Sequence, residues 1–317
     1  MSEIKISIIV PVYNRPDCVR KCIESVSNQL LPPGYEREIL KMIELIIVDD
    51  GSTDNTLDVV KSYEPVIPYL KIIHYKPNKG VNFARNRGVE ASKGQFVLFL
   101  DSDEILTPGA VTLFLQTIEK FASQYDHFLF DIDYNVNTEE QSPAIYTYPD
   151  WLSNKVKGDY AHLILKKYLL KIPFNENFRI YESLTWFQIF KLNKQQLHVP
   201  ELVKMAEFKR FDSVSKEYLL QNKKSMKQHF MWGYQYTQLY GNDLIKYNLD
   251  KELFHHLKKT ILVGVAIGNI KENKLLIREL KKINSLQGTL YNFFNLKLFS
   301  PVFYFLIKMK SKYGNRS

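Results

Sequence analysis

The sequence predicts an α/β fold built on a mostly parallel sheet with helices on both faces, followed by a helical C-terminal region. Three observations carry this. Short β-branched runs alternate with helix-period runs through the first 135 residues, the rhythm of βαβ units. Three of those runs end in polar residues suited to turns. Charge is also divided unevenly along a chain of 317 residues with a net charge of +9. Residues 216–317 hold 18 Lys and Arg against 6 Asp and Glu, a net of +12, whereas residues 1–215 carry a net of −3. The expected division is a domain over 1–215 and a basic helical region over 216–317, with separate tasks.

The first run, "IKISIIV" (4–10), is continuous and β-branched, as a strand buried on both faces requires. A helix pattern follows from Asp17 to Gln29. "LLPPGYEREILK" (30–41) is long for a connection in such a fold and reads as a surface insertion. "MIELIIV" (42–48) is a second strand, and Thr53 to Tyr63 a second helix. "LKIIHY" (70–75), "VNFARNRGVEAS" (81–92) and "QFVLFLD" (95–101) give strand, helix and strand again. Pro108 stands near the start of a helix over 108–121, and "HFLFDIDY" (127–134) is a further strand, with Asp131 and Asp133 on its polar face. Helices are expected near 216–240, 250–268, 271–284 and 296–311.

Several classes are excluded. The N-terminus lacks the apolar core and cleavage site of a signal peptide, and no 18-residue apolar run could span a membrane. Cys18 and Cys22, the two cysteines, read as small packing residues, with a reducing cytoplasmic compartment as the default. No G-x-G-x-x-G follows a strand, which argues against a dehydrogenase-type dinucleotide fold. No nucleic-acid motif accompanies the basic tail, so nucleic acid is not an expected partner.

In an open parallel sheet, ligands sit outside the carboxyl ends of the strands. Reading those ends gives Pro11-Val12-Tyr13-Asn14, Asp49-Asp50-Gly51-Ser52 and Asp101-Ser102-Asp103, all on one edge. Asp101, Asp103 and Glu104 follow "FVLFL" directly, so acids repel one another where hydration is poor. A compensating positive charge or deep exposure to water is needed. Asp101 and Asp103 are hard oxygen ligands of the kind Mg²⁺ or Mn²⁺ takes, and a solvated turn is the alternative for so short a pattern. Gly51 permits a tight turn, and Ser52 to Asp54 can cap a helix. A carboxylate at Asp50 could accept from a base that presents a ring N–H.

"SIIVPVYNRPDCVRKCIESVSNQ", "ELIIVDDGSTDNTLDVV" and "NKGVNFARNRGVEASKGQFVLFLDSDEIL" resemble family 2 glycosyltransferases of the GT-A fold, in the family's order. The resemblance is strong over about residues 4–125 and thins toward 215. It implies an inverting transfer from a nucleotide-sugar donor, a UDP-sugar, to a glycan or lipid-linked acceptor in cell-surface polysaccharide synthesis. Pro11, Val12 and Tyr13 would line the base pocket, and Asp50 would accept from the base. Asp101 would lie near the ribose and metal, and Asp103 would bind Mn²⁺ or Mg²⁺ bridging the diphosphate. The matching "ARN", Arg85 and Asn86, would organise the donor side, with plain packing as the alternative. Arg210, in "FKRFDSVS", would reach the diphosphate, with a surface stacking contact between aromatics as the alternative. The family places an Asp in a short "ED" motif as general base. Here Glu182 matches the first acid and Ser183 stands where the Asp belongs. Glu182 is therefore the candidate base, with a structural ion pair as its plain alternative; the other readings are an Asp from elsewhere, weak activity, or an impaired relative that only binds nucleotide sugar. A sugar-nucleotide pyrophosphorylase would need a Gly-rich basic loop after the first strand, and "VPVYNRP" is not one.

The tail "LYNFFNLKLFSPVFYFLIKMKSK" (290–312) carries seven aromatics among its first 17 residues. It suits a segment lying on an anionic membrane surface, which would put the protein at the inner face of the membrane. A docked C-terminal helix is the alternative.

Overall fold

The computed structural model describes residues 4–29, 31, 34, 36–133, 142–178, 181–206, 222–295 and 299–313. The chain divides into two units, Met1–Lys209 and Arg210–Ser317. The boundary expected from charge, at 215/216, falls outside the described residues.

In the first unit the β-branched runs become β1 (Ile6–Val12), β2 (Ile43–Asp49), β3 (Leu70–His74) and β4 (Phe96–Phe99), parallel in the order β3-β2-β1-β4. Strands β1, β2 and β4 are buried along their whole length. Their side chains alternate between two cores, as a period of two dictates. Ile8, Val10, Leu45, Ile47 and Leu98 meet Val19, Ile23 and Val60, whereas Ile9, Ile46, Val48, Val97 and Phe99 meet Ala84 and Val89. Each such side chain contributes about 1.5–3 kcal/mol of hydrophobic stabilisation. Those partners come from α1 (Pro16–Ser27), α3 (Thr56–Lys61) and α4 (Val81–Ala91), and α2 (Glu36–Lys41) adds Ile39 to the first core. Close contact of α4 with β1 depends on Gly88, where a Cβ would stand 2.4 Å from Ile9 Cγ2.

Two local expectations are corrected here. The 30–41 connection is not wholly a surface insertion: Ile39 in α2 is buried in the core. The second helix begins at Thr56 rather than Thr53 because the intervening residues form the turn after β2.

The sheet continues with β5 (Glu104–Leu106), β6 (His127–Ile132), β7 (Ala144–Thr147), β8 (Ala161–Leu165) and β9 (Gln195–Ala206). Its full order is β3-β2-β1-β4-β8-β6-β9-β5, with β7 pairing β9. Strand β8 runs antiparallel between β4 and β6, and β9 runs parallel to β6. Around them lie α5 (Ala110–Phe121), α6 (Tyr148–Leu152), α7 (Lys166–Lys171) and α8 (Ser183–Asn193). Strand β6 is buried on both faces, so its polar face, with His127 and Asp131, meets other side chains rather than water. Asp131 is buried and accepts from His198 Nε2 at 2.9 Å across to β9, while Asp133 beyond the strand accepts the Ala206 N–H.

A buried polar chain joins β6, β8 and α8. Gln196 donates to Asn193 Oδ1, and Asn193 donates to His127 Nδ1 at 3.0 Å. His127 therefore carries its proton on Nε2 and donates to His162 Nδ1 at 2.8 Å. Burial pushes both imidazoles below the ordinary range, His162 to about 3. Both stay neutral in the fold, whereas the unfolded chain takes up their protons below about pH 6.5. Their contribution is complete above that pH and is lost as pH falls toward 3, by about 1.4 kcal/mol per unit per histidine. Urea midpoints should hold steady from pH 8 to 7 and then drop between 6.5 and 4, with a shallower drop in His162→Asn. Equal slopes in the two proteins would rule the pair out as the cause.

The second unit holds α9 (Lys223–Lys246), α10 (Asp250–Ile267), α11 (Ile270–Ile283), α12 (Ser285–Phe294) and α13 (Ser300–Tyr313). Asn222 caps α9 by accepting the Ser225 N–H at 2.9 Å. Helix α10 is central, packing against α9, α11 and α13. Among the described residues no helix is long and apolar enough to cross a membrane. Within the aromatic tail Phe294 packs on Phe299 and Phe303, and Ser300 Oγ at the start of α13 donates to Ala266 O of α10 at 2.7 Å. Leu286, Leu290, Val302, Phe305 and Leu306 remain exposed.

Candidate active site

The carboxyl ends of β1, β2 and β4 meet on one edge, as parallel pairing requires. The turn after β2 is built by Asp49, which is fully buried and accepts from both the N–H and hydroxyl of Ser52 and from His74 Nδ1 at 2.8 Å. Its role is structural. Asp50 is also buried, and its two oxygens accept the Lys79 and Gly80 N–H groups, each at 2.7 Å. It thus pins the loop that leads into α4, and a base N–H would use its remaining lone pairs. Only glycine suits position 51: its φ is +75°, and a Cβ would lie 2.9 Å from both Asn78 N and Tyr75 O.

Of the three residues expected around the base, Pro11 and Val12 are buried in β1, and the Val12 side chain belongs to the core. Tyr13, 37% exposed, is the one whose side chain is open to solvent.

Each acid of the Asp101–Glu104 turn has its own protein cation. Asp101 Oδ1 accepts from Arg85 Nη2 at 2.9 Å, Asp103 Oδ2 lies 2.7 Å from Arg15 Nη1, and Glu104 Oε2 accepts from Lys204 Nζ at 2.8 Å. The last pair is buried, and Glu104 Oε2 also accepts the Asp101 N–H at 3.0 Å. Glu104 therefore braces the turn from beneath and does not face the cleft. Burial raises its pKa, and Lys204 opposes that rise.

Arg85 spans the cleft. Its Nη1 donates to Glu182 Oε1 at 2.6 Å while Nη2 holds Asp101, and its guanidinium carbon lies 5.8 and 5.7 Å from the ring centroids of Phe99 and Phe174. Burial works against its charge, but the two carboxylates outweigh that and raise its pKa. The neighbouring amides serve the same loop. Asn86 donates to Phe174 O and Glu176 Oε1 and accepts the Phe174 N–H. Asn82, one turn earlier, donates to Asn175 O and Phe178 O. Asn86 is buried, so it secures the segment before Glu182 rather than touching the donor side.

Glu182 sits at the N-terminus of α8 and Ser183 is that helix's first residue. Tyr181 just before them has φ +83°, strained for a bulky side chain. Such strain clusters at functional positions, and here it falls one residue before Glu182. Arg210 lies outside the described residues. Arg15, Lys204 and Asn82 were missed by sequence reasoning; "YNRP" places Arg15 after the first strand but nothing in it names a partner.

Asp101 and Asp103 suit a divalent cation by their chemistry. Both are carboxylates, with side chains 44% and 29% exposed, and Mg²⁺ or Mn²⁺ takes one or two carboxylates and completes its shell with phosphate oxygens and water. Among the described residues no group of three or more His, Cys, Asp or Glu forms an all-protein cage.

A mostly parallel sheet with acids at the ends of two parallel strands, and a further carboxylate bridged across by arginine, fits a GT-A fold. The chain belongs to glycosyl transferase family 2, whose model matches residues 7–181. It is 29% identical over 220 residues, 67% of each chain, to a GalNAc(5)-diNAcBac-PP-undecaprenol beta-1,3-glucosyltransferase of Campylobacter jejuni. It is 36% identical over 108 residues to a poly(ribitol-phosphate) beta-glucosyltransferase of Bacillus spizizenii, covering 34% of this chain and 16% of that one. The chain thus spans two-thirds of the first relative and much less of the second. Among solved structures, S. aureus TarS 1–349 in complex with UDP-GlcNAc is similar, with a TM-score of 0.68 at 18% identity over 98% of this chain and 92% of that one.

Proposed function

We propose that this family 2 glycosyltransferase moves a sugar, with inversion, from a UDP-sugar to a hydroxyl of a glycan or lipid-linked acceptor in cell-surface polysaccharide synthesis. The observation that carries the reading is the bridge Asp101–Arg85–Glu182, which ties the donor side of the cleft to a carboxylate able to serve as base. Tyr13 and Asp50 would receive the base of the nucleotide. Asp101 and Asp103 would hold Mn²⁺ or Mg²⁺, which as a Lewis acid takes up charge developing on the leaving diphosphate. Arg85 orients Glu182 through Oε1, leaving Oε2 to accept the acceptor's hydroxyl proton as the new bond forms at the anomeric carbon. Arg210 would contribute a further positive charge to the diphosphate. The names of the two relatives, which include an undecaprenol-linked and a polymeric acceptor, support the acceptor class. Net charge of +12 over 216–317 and the exposed apolar side chains of α12 and α13 support work at an anionic membrane surface, on its cytoplasmic face.

Ser183 favours a second reading, an impaired relative that binds nucleotide sugar without transferring it. Calorimetric titration with UDP and GDP, with and without Mn²⁺, tests the common part of both. UDP should bind in a metal-dependent way, and Asp103→Ala should abolish that dependence. If neither nucleotide binds with metal present, the donor-site assignment fails.

A further inference from the structure

We propose that Arg15 is the resident counter-ion of Asp103 and that a divalent cation must displace it, so that metal and donor bind cooperatively. This rests on the donor-site reading above. Three acids at the turn have three protein cations, but the pairs differ in how firmly they are held. Glu104 and Lys204 are both buried, and Glu104 is tied to the Asp101 N–H as well. Arg85 is held between two carboxylates and flanked by two aromatic rings. Arg15 is the more exposed of the two arginines, its side chain 23% open against 12% for Arg85. The backbone of Arg15 is anchored, since its N–H donates to Thr56 Oγ1 at 2.9 Å and Pro16 opens α1 directly after it. The side chain can therefore leave Asp103 without disturbing the helix.

A cation bound to Asp103 and a guanidinium 2.7 Å from the same carboxylate would repel each other in the partly dehydrated cleft. Metal alone must therefore break an existing ion pair, which weakens its binding. A nucleoside diphosphate supplies new anionic oxygens beside the turn and gives the released guanidinium a partner. By linkage, the factor by which UDP tightens Mn²⁺ equals the factor by which Mn²⁺ tightens UDP. Arg15 is a positioning residue in this account, setting the order and strength of binding.

Free Mn²⁺ in solutions of the full chain, followed by electron paramagnetic resonance without and with saturating UDP, reads this directly and needs no turnover. Wild type should bind Mn²⁺ weakly alone and at least about fivefold more tightly with UDP, within the usual range of coupling between sites. Arg15→Gln should bind Mn²⁺ alone about tenfold more tightly, with the coupling to UDP reduced to what direct contact of the cation with the diphosphate supplies. Arg15→Lys, which keeps the charge, should resemble wild type. Unchanged or weaker Mn²⁺ binding by Arg15→Gln overturns the inference while leaving the donor site standing. So does wild-type Mn²⁺ binding that is indifferent to UDP. Absence of both UDP and Mn²⁺ binding in wild type overturns the donor-site reading and this inference together.

Discussion

Replacing Glu182 by Gln is expected to lower the turnover of sugar transfer by about 10²–10⁴-fold, the usual contribution of a positioned general base. UDP affinity should not change. Glutamine has the same shape, and its amide oxygen can still accept from Arg85, which donates to Glu182 Oε1 at 2.6 Å in the native chain. Asp101 keeps its own bond to Arg85 Nη2, so the donor side of the cleft stays in place. Only the capacity to take a proton is lost. Initial rates with the UDP-sugar that wild type uses, beside calorimetry with UDP, separate the two effects. A Gln variant that turns over like wild type would remove Glu182 as the base and return the question to an Asp from elsewhere. A wild type that binds UDP but transfers from no UDP-sugar would favour the impaired reading prompted by Ser183.

How far such a site can be read from sequence depends on how far apart its partners lie. The strand ends were legible because "SIIVPVYN" and "ELIIVDDGS" pass from continuous β-branched residues to turn residues within two or three positions, and a sheet with parallel pairing brings those ends together. What each acid does was not legible. Asp49 and Asp50 are adjacent, yet one closes the turn onto His74 and Ser52 while the other reaches the N–H groups of Lys79 and Gly80. The counter-ions are remoter still, with Arg85 and Glu182 separated by 97 positions and Glu104 and Lys204 by 100. No local period encodes such pairs. Strand β6 is a related case: the spacing of Asp131 and Asp133 marks a polar face, but not that Asp131 is buried there with His198 of β9 as its partner. Beyond residue 135 the insertion of β8 between β4 and β6 depends on antiparallel pairing that a βαβ rhythm does not announce.

Replacing Lys204 by Met should be the most damaging single change to stability in this part of the molecule. The Lys204 ammonium lies 2.8 Å from Glu104 Oε2, and both residues are buried. Removing one member of a buried ion pair leaves the other desolvated and uncompensated, a loss of about 3–5 kcal/mol. Glu104 would respond by holding its proton. Burial already raises its pKa, Asp101 adds to that, and Lys204 is the neighbour that lowers it. In the unfolded chain the proton leaves near pH 4.3; in the folded variant it stays to higher pH. The deficit of Lys204→Met should therefore be small in acid, where Glu104 is protonated in both states, and grow as pH rises through the folded pKa. Urea denaturation at pH 4.5 and 7.5 gives the comparison, against wild type at each pH. Adding Glu104→Gln should recover most of the loss at pH 7.5, because the amide carries no charge and its oxygen can still accept the Asp101 N–H. UDP binding with Mn²⁺ should weaken in Lys204→Met and return in the double variant, since Glu104 supports the backbone of the turn that carries Asp101 and Asp103. A cost below about 1 kcal/mol at pH 7.5, the level of an exposed pair, would mean that the turn does not depend on this ion pair.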